Sequence, residues 1–266
     1  MPELLLTSPH SGEKIASETP WLDGLAVPVL FRDADRFVDR LYQPVADTYN
    51  LPYIKAEWHR YVADLNRMPE DVDAGSVEGA ESAPGTHPKG FHWQVTTHNE
   101  PLMQGAISKE LHQSIREKYY DPFHRQVGEF LAEHAKSGAV YHVDCHSMPS
   151  QGTQFHPDPG KKRAEIVLGD QFGKSCSSQF RDLVIKAYEG AGFEVVMNDP
   201  YKGGRITERY GQPAVGQHTI QVEMNRELYM DEETKELIPE KAERVQSQLV
   251  ETFKVIVAGL ATLGDS

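Results

Sequence analysis

An α/β fold on a mostly parallel or mixed sheet is what this sequence predicts, from three observations. Short apolar runs alternate with longer stretches of helical periodicity. Several of those runs are continuously apolar, as in strands covered on both faces. The 266 residues are 39% apolar and 25% charged, a globular composition with enough chain for a core that needs no staples.

The elements follow in order. Residues 4–7, LLLT, are the first expected strand and run straight into SPHSG. A helix is expected over 34–49 and a strand over 51–55. The stretch 68–90 is rich in Gly, Ala, Ser and Pro and has no periodicity, so it reads as a long surface loop. Loops of that length in compact domains often form lids or binding edges, and the alternative is a disordered insertion. Helical periodicity returns over 107–136, where Asp121-Pro122 either starts a new helix or kinks the old one. A strand over 140–144 runs into CHSMP, and another is expected over 164–168. Helix 173–190 leads to strand 193–197, then strand 219–224 and a final helix over 232–263. No repeat or linker divides the chain, so residues 1–266 are read as one domain.

Composition excludes several function classes. A formal charge of −13 argues against a nucleic-acid partner, because phosphate binding needs a basic surface. Two cysteines, Cys145 and Cys176, sit in no C-x-x-C pair; they exclude a disulfide scaffold and fit a reducing compartment. No apolar run approaches the ~18 residues of a membrane span. The start, MPELLLTSPHSG, lacks the basic region and long apolar core of a signal peptide. A cytoplasmic protein is expected; oligomeric state is left open.

Twelve histidines are many for this length, and two are well placed. His10 and His146 both lie just past an expected buried strand, where open α/β sheets place ligands. Imidazole is a common zinc ligand, and catalytic zinc takes three protein ligands and a water. Candidates for the third ligand are the acids of RDADRFVD and Glu13, three residues after His10. In that segment Asp33 suits helix N-capping better than Asp35. Asp144 could hydrogen-bond the ring of His146. Arg60 and Arg67 flank a short strand-like stretch; they could bind a carboxylate through the planar guanidinium fork or form surface salt bridges. Glu223 lies in a buried strand, where a carboxylate is expensive unless paired or functional. It is a candidate general base, or a partner for Arg67 or Arg205.

The ordered series SPHSG, RDADRFVDRLY, HRYVADLNR, TTHNEPLM, DCHSMPS, PYKGGRITERYGQP and HTIQVEMNRELYMDE resembles the N-formylglutamate amidohydrolase family. That family is similar in fold to zinc carboxypeptidases and to the succinylglutamate desuccinylase and aspartoacylase group. The resemblance implies one three-layer α/β/α domain around a central mixed sheet. It implies one zinc ion per chain, held by His10, Asp35 and His146, with Glu13 as the rival acidic ligand because the carboxypeptidases use that position. Glu223 would be general base and proton shuttle, Arg60 would polarise the scissile carbonyl, and Asn66 and Arg67 would grip a substrate carboxylate. The implied substrate is a small N-acyl amino acid such as N-formyl-L-glutamate, giving formate and glutamate, as at the end of histidine breakdown. A metallocarboxypeptidase and a non-catalytic small-molecule binder are the competing readings. One departure stands beside the expected pocket: ITERYG, with Glu208 and Arg209, replaces the ITRHYG frequent in the family.

Overall fold

The structure is a computed structural model and describes residues 3–81, 89–154, 156 and 158–263. Its strands are Glu3–Ser8 (β1), Tyr53–Lys55 (β2), Val140–Met148 (β3), Ile166–Gly169 (β4), Val195–Met197 (β5) and Gln217–Asn225 (β6). They form one sheet in the order β2-β1-β3-β6-β4-β5. The pairs β2–β1, β1–β3, β3–β6 and β4–β5 are parallel, and β6–β4 is antiparallel. The sheet is therefore mixed, with its one reversal at the β6–β4 seam.

Each expected strand is present, and the two central ones are longer than expected. β3 and β6 stay paired from Val140–Gln217 through Met148–Asn225. His146 consequently lies inside β3 and not in a loop past it. The run CHSM past the expected strand looks like a loop, yet it is strand because it stays paired with β6 residue by residue and every one of its side chains is buried.

Helices cover both sides. They are Val27–Leu30 (α1), Val38–Tyr49 (α2), Lys109–Ile115 (α3), Asp121–His134 (α4), Ser178–Gly190 (α5), Arg205–Tyr210 (α6) and Pro239–Leu263 (α7), with a π-helical turn at Arg116–Tyr120 between α3 and α4. One apolar cluster joins Leu4 and Leu6, Tyr141, Val143 and Cys145, and Ile220, Val222 and Met224 to the buried faces of α2, α5 and α7. The other joins Leu5 and Val140 to Ile115, Phe123, Val127, Leu131, Ile206 and Tyr210 on the opposite side. Strand alternation sends successive residues to these two layers.

Several helices start later than expected, each for a local reason. α2 begins at Val38 after Phe37, whose φ of 70° breaks the helical run, so Asp33 is not its cap. α5 begins at Ser178 because Gln171, Phe172 and Gly173 all have positive φ, and Ser177 then caps by accepting from the Phe180 N–H. The bridge Met230–Leu237 occupies the start of the expected last helix. The helices α1 and α6 were not expected; at four and six residues they are too short for periodicity to register. No strand forms between Arg60 and Arg67.

The stretch 68–81 is not a plain surface loop, since Asp71, Asp73, Ser76 and Val77 are buried. Asp73 accepts from the Gly75 N–H and from Gln94 Nε2. Residues 82–88 of the expected loop lie outside the described residues. Among the described residues no helix is long and apolar enough to cross a membrane.

Candidate active site

His10 sits in the turn after β1, and its carbonyl accepts the Asp35 N–H at 3.0 Å, which draws the loop before α2 over the sheet. His146 rises from β3. Potential ligand atoms of His10, Asp35 and His146 all lie within 4.8 Å of one another, and all three side chains are buried. Asp35 Oδ2 is 3.0 Å from His146 Nδ1 and 3.4 Å from His10 Nδ1. The other ring nitrogens face carboxylates: His10 Nε2 is 2.8 Å from Asp64 Oδ1, and His146 Nε2 is 2.9 Å from Asp144 Oδ2.

This donor set fits a divalent metal. Two imidazoles and one carboxylate match the three protein ligands of a catalytic zinc site. The outer carboxylates favour protons on the Nε2 atoms, and both Nδ1 atoms face Asp35 Oδ2. Without a cation His146 is held as an imidazolium. Burial alone would lower its pKa, but attraction to Asp144 and hydrogen bonds to Asp144 and Asp35 raise it well above the usual value. A cation would take the place of the Nδ1 proton. Glu13 is turned away, with its Oε1 2.8 Å from Arg36 Nε. Asp33 instead accepts from Tyr61 Oη and the Thr97 N–H.

Glu223 stands on β6 directly beside His146 in register. Burial, reinforced by Asp35, pushes its carboxyl up to about 7, against the pull of His146, Arg226 and Arg60. Its Oε1 accepts from Gln221 Nε2 at 2.9 Å. It forms no ion pair with Arg67 or Arg205; Arg205 binds Asp71 and Glu208. Glu223 is a buried carboxyl facing the metal candidates, poised to carry a proton near neutral pH.

Arg60 is buried and not part of a surface pair. Its Nη2 donates to Asp64 Oδ2 and its Nη1 to the Asp33 carbonyl, both at 2.7 Å, and it stacks on Trp93. Asn66 is clamped from α6: its Oδ1 accepts the Ile206 N–H at 2.8 Å. Gly204 permits this contact, because a Cβ there would meet Asn66 Nδ2 at 2.2 Å. Arg67 donates to the carbonyls of Lys89 and Asn66 and pairs with no described carboxylate within 4 Å. Such a guanidinium is a ready anchor for an incoming carboxylate. His10, Asp35, Arg60, Asn66, Arg67, His146 and Glu223 all line one cavity of about 550 Å³.

Sequence reasoning passed over two residues of this site. Asp64 is fully buried and gathers His10, Arg60, Trp93 Nε1 and the Asn66 N–H. Arg226 donates to Asp35 Oδ1 at 3.1 Å and to Ser147 Oγ. The signals were modest: an acid four residues after Arg60, and an arginine three residues beyond Glu223. Glu208 and Arg209 do not line the cavity; Arg209 lies over Tyr210.

The profile of the N-formylglutamate amidohydrolase family matches residues 2–230. The chain belongs to this family. It is 29% identical to an N-formylglutamate deformylase of Pseudomonas aeruginosa, over 86% of this chain and 83% of the relative. It is 28% identical to a deformylase of the same name from Pseudomonas putida, over 86% and 82%. Among solved structures, an N-formylglutamate amidohydrolase from Ralstonia eutropha superposes with a TM-score of 0.86 at 29% identity, covering 98% of this chain and 95% of that one. A gene product of Agrobacterium tumefaciens shares the fold at a TM-score of 0.72 and 20% identity, covering 98% and 92%. The matched span, residues 2–230, contains every cavity residue named above.

Proposed function

We propose that this protein is a zinc-dependent amidohydrolase that removes the formyl group from N-formyl-L-glutamate, giving formate and glutamate. The observation that carries the reading is that the His10–Asp35–His146 cluster, Glu223 and the unpaired Arg67 open onto one cavity in a chain of this family. His10, Asp35 and His146 would hold one zinc ion. When bound there, such an ion acidifies water and polarises a carbonyl.

The chain's own residues supply the rest. Arg67, with Asn66 at its side, grips a carboxylate of the substrate and sets the scissile amide between the metal cluster and Glu223. Glu223 takes the proton of the attacking water and returns it to the departing amine. Arg60 has N–H groups left after its bonds to Asp64 and Asp33, and they stabilise the negative charge developing on the carbonyl oxygen, a contribution of roughly 3–4 kcal/mol per well-placed donor. Asp64 and Asp144 keep the two histidine rings in the ligating tautomer.

The test is turnover by the zinc-loaded protein with N-formyl-L-glutamate beside C-terminal peptide substrates. Formate and glutamate should appear in equal amounts, with little peptide cleavage. Peptide cleavage without deformylation would replace the reading with a carboxypeptidase.

A further inference from the structure

Asp144 is itself held by a chain of hydrogen bonds reaching away from the cavity. Thr7 Oγ1 donates to Asp144 Oδ1 at 2.6 Å. The same Thr7 oxygen lies 2.8 Å from His142 Nε2, and His142 Nδ1 lies 3.3 Å from Thr219 Oγ1. Thr7, His142, Asp144 and Thr219 are all 0% exposed. They sit on three adjacent strands, with Thr7 beside Asp144 and His142 beside Thr219 in register.

The proton count gives this chain a direction. Thr7 has one hydroxyl proton and spends it on Asp144, so it must accept from His142 Nε2–H. Burial keeps His142 neutral, its pKa lowered to about 4. With its proton on Nε2, its Nδ1 is bare and accepts from the Thr219 hydroxyl. At the other end the fixed Asp144 carboxylate requires a proton on His146 Nε2, because the opposite tautomer would set a lone pair against Oδ2 at 2.9 Å.

We infer that the chain Thr219–His142–Thr7–Asp144 sets the tautomer of His146 and through it the metal affinity of the site, with Thr7 and His142 as positioning residues. The inference rests on the metal-site reading above. It extends the control of one ligand beyond the carboxylate that touches it, through Thr7 and His142 to Thr219. No other arrangement of the Thr7 proton leaves all of these buried groups paired, and an unpaired one would cost about 1–3 kcal/mol.

The experiment measures zinc dissociation by chelator competition, with the melting temperature of the metal-free protein followed in parallel. Thr7→Val keeps the β-branched shape and should weaken zinc about 10–100-fold, the range for lost outer partners of metal ligands. Thr7→Ser keeps the hydroxyl and should bind as the wild type does. Thr7→Val with unchanged zinc affinity, whatever its melting temperature, overturns the inference and leaves a structural role only. His146→Ala is the control: if it keeps wild-type zinc affinity, the metal-site reading itself fails, whereas its loss alongside an unaffected Thr7→Val rejects only the chain. Should Thr7→Val fail to fold, ¹⁵N histidine spectra of the wild-type zinc protein decide. His142 and His146 should both carry their proton on Nε2, and a proton on Nδ1 of His142 overturns the direction of the chain.

Discussion

The two faces of β3 and β6 share one backbone and are both buried, yet they do different work. One face carries Tyr141, Val143, Cys145, Ile220, Val222 and Met224 into the apolar layer of α2, α5 and α7. The other carries His142, Asp144, His146, Thr219, Gln221 and Glu223, all buried as well. The first face gains free energy simply by leaving water. The second gains nothing that way and is tolerated because its polar groups find partners, from Thr7 and Asp35 to Gln221. The strand period of two thus lets stability and chemistry alternate along the same nine residues. Substitutions on the two faces should fail in different ways.

The largest effect is expected on the polar face. Glu223→Gln is nearly isosteric and can keep its contact with Gln221, but it cannot accept a proton. Its kcat should fall by ~10²–10⁴, the usual worth of a positioned acid–base group. Zinc content and melting temperature should stay close to wild type. A near-normal kcat would remove Glu223 from the reaction; loss of fold and metal together would make it a structural partner.

The apolar face should give the mirror image. Ile220 is fully buried three residues earlier on the same strand. Ile220→Ala should destabilise by ~2–5 kcal/mol through lost burial and a cavity, read as a drop in denaturation midpoint. At temperatures where the variant remains folded, kcat/KM should hold within a few-fold. A tenfold fall in kcat/KM of the folded variant would show that the two faces are not independent.

The difference between the faces also explains what could be read from the sequence. Apolar runs located all six strands, and the recurring position of His10 and His146 at strand ends located the cluster. Polar residues hid the true length of β3, because His146 and Ser147 read as a loop until β6 is seen to pair along them. The acidic ligand candidate stayed open between Asp35 and Glu13 by spacing alone. It is separated in space, where Arg36 occupies Glu13. Asp64 and Arg226 were illegible for a related reason: an acid and an arginine in polar loops look solvated until four partners converge on one and Asp35 on the other. The start of α2 was misplaced because a left-handed Phe37 leaves no trace in hydrophobic periodicity.

A smaller effect should separate this strand-borne chemistry from the loop that positions substrate. Arg67 lies in a bend between elements; among the described residues its hydrogen bonds go only to backbone carbonyls, and its guanidinium lies over Trp93. Arg67→Lys keeps the charge and removes the planar fork. KM should rise about tenfold, equivalent to ~1.4 kcal/mol, while kcat changes only a few-fold and zinc is retained. An unchanged KM would mean that Arg67 merely fastens the loop to Lys89.

The smallest expected effect concerns pH, and it tests whether the polar face works as one electrostatic unit. In the metal-free chain burial, with Asp35 nearby, holds the Glu223 carboxyl up to about 7. A general base acts only when ionised, so activity should rise with pH as Glu223 loses its proton. At a pKa of 7 half of the enzyme would be inactive at pH 7. A divalent cation beside the carboxylate favours the charged form and lowers that pKa, so the loss at pH 7 should be less than twofold. The acid limb of kcat/KM, measured with zinc saturating at every pH, should therefore fall below 7 and flatten in Glu223→Gln. A limb that persists unchanged in that variant would assign it to another group. A limb above 7 in the wild type would mean that Glu223 does not feel the cation, and the shared electrostatics of this face would have to be abandoned.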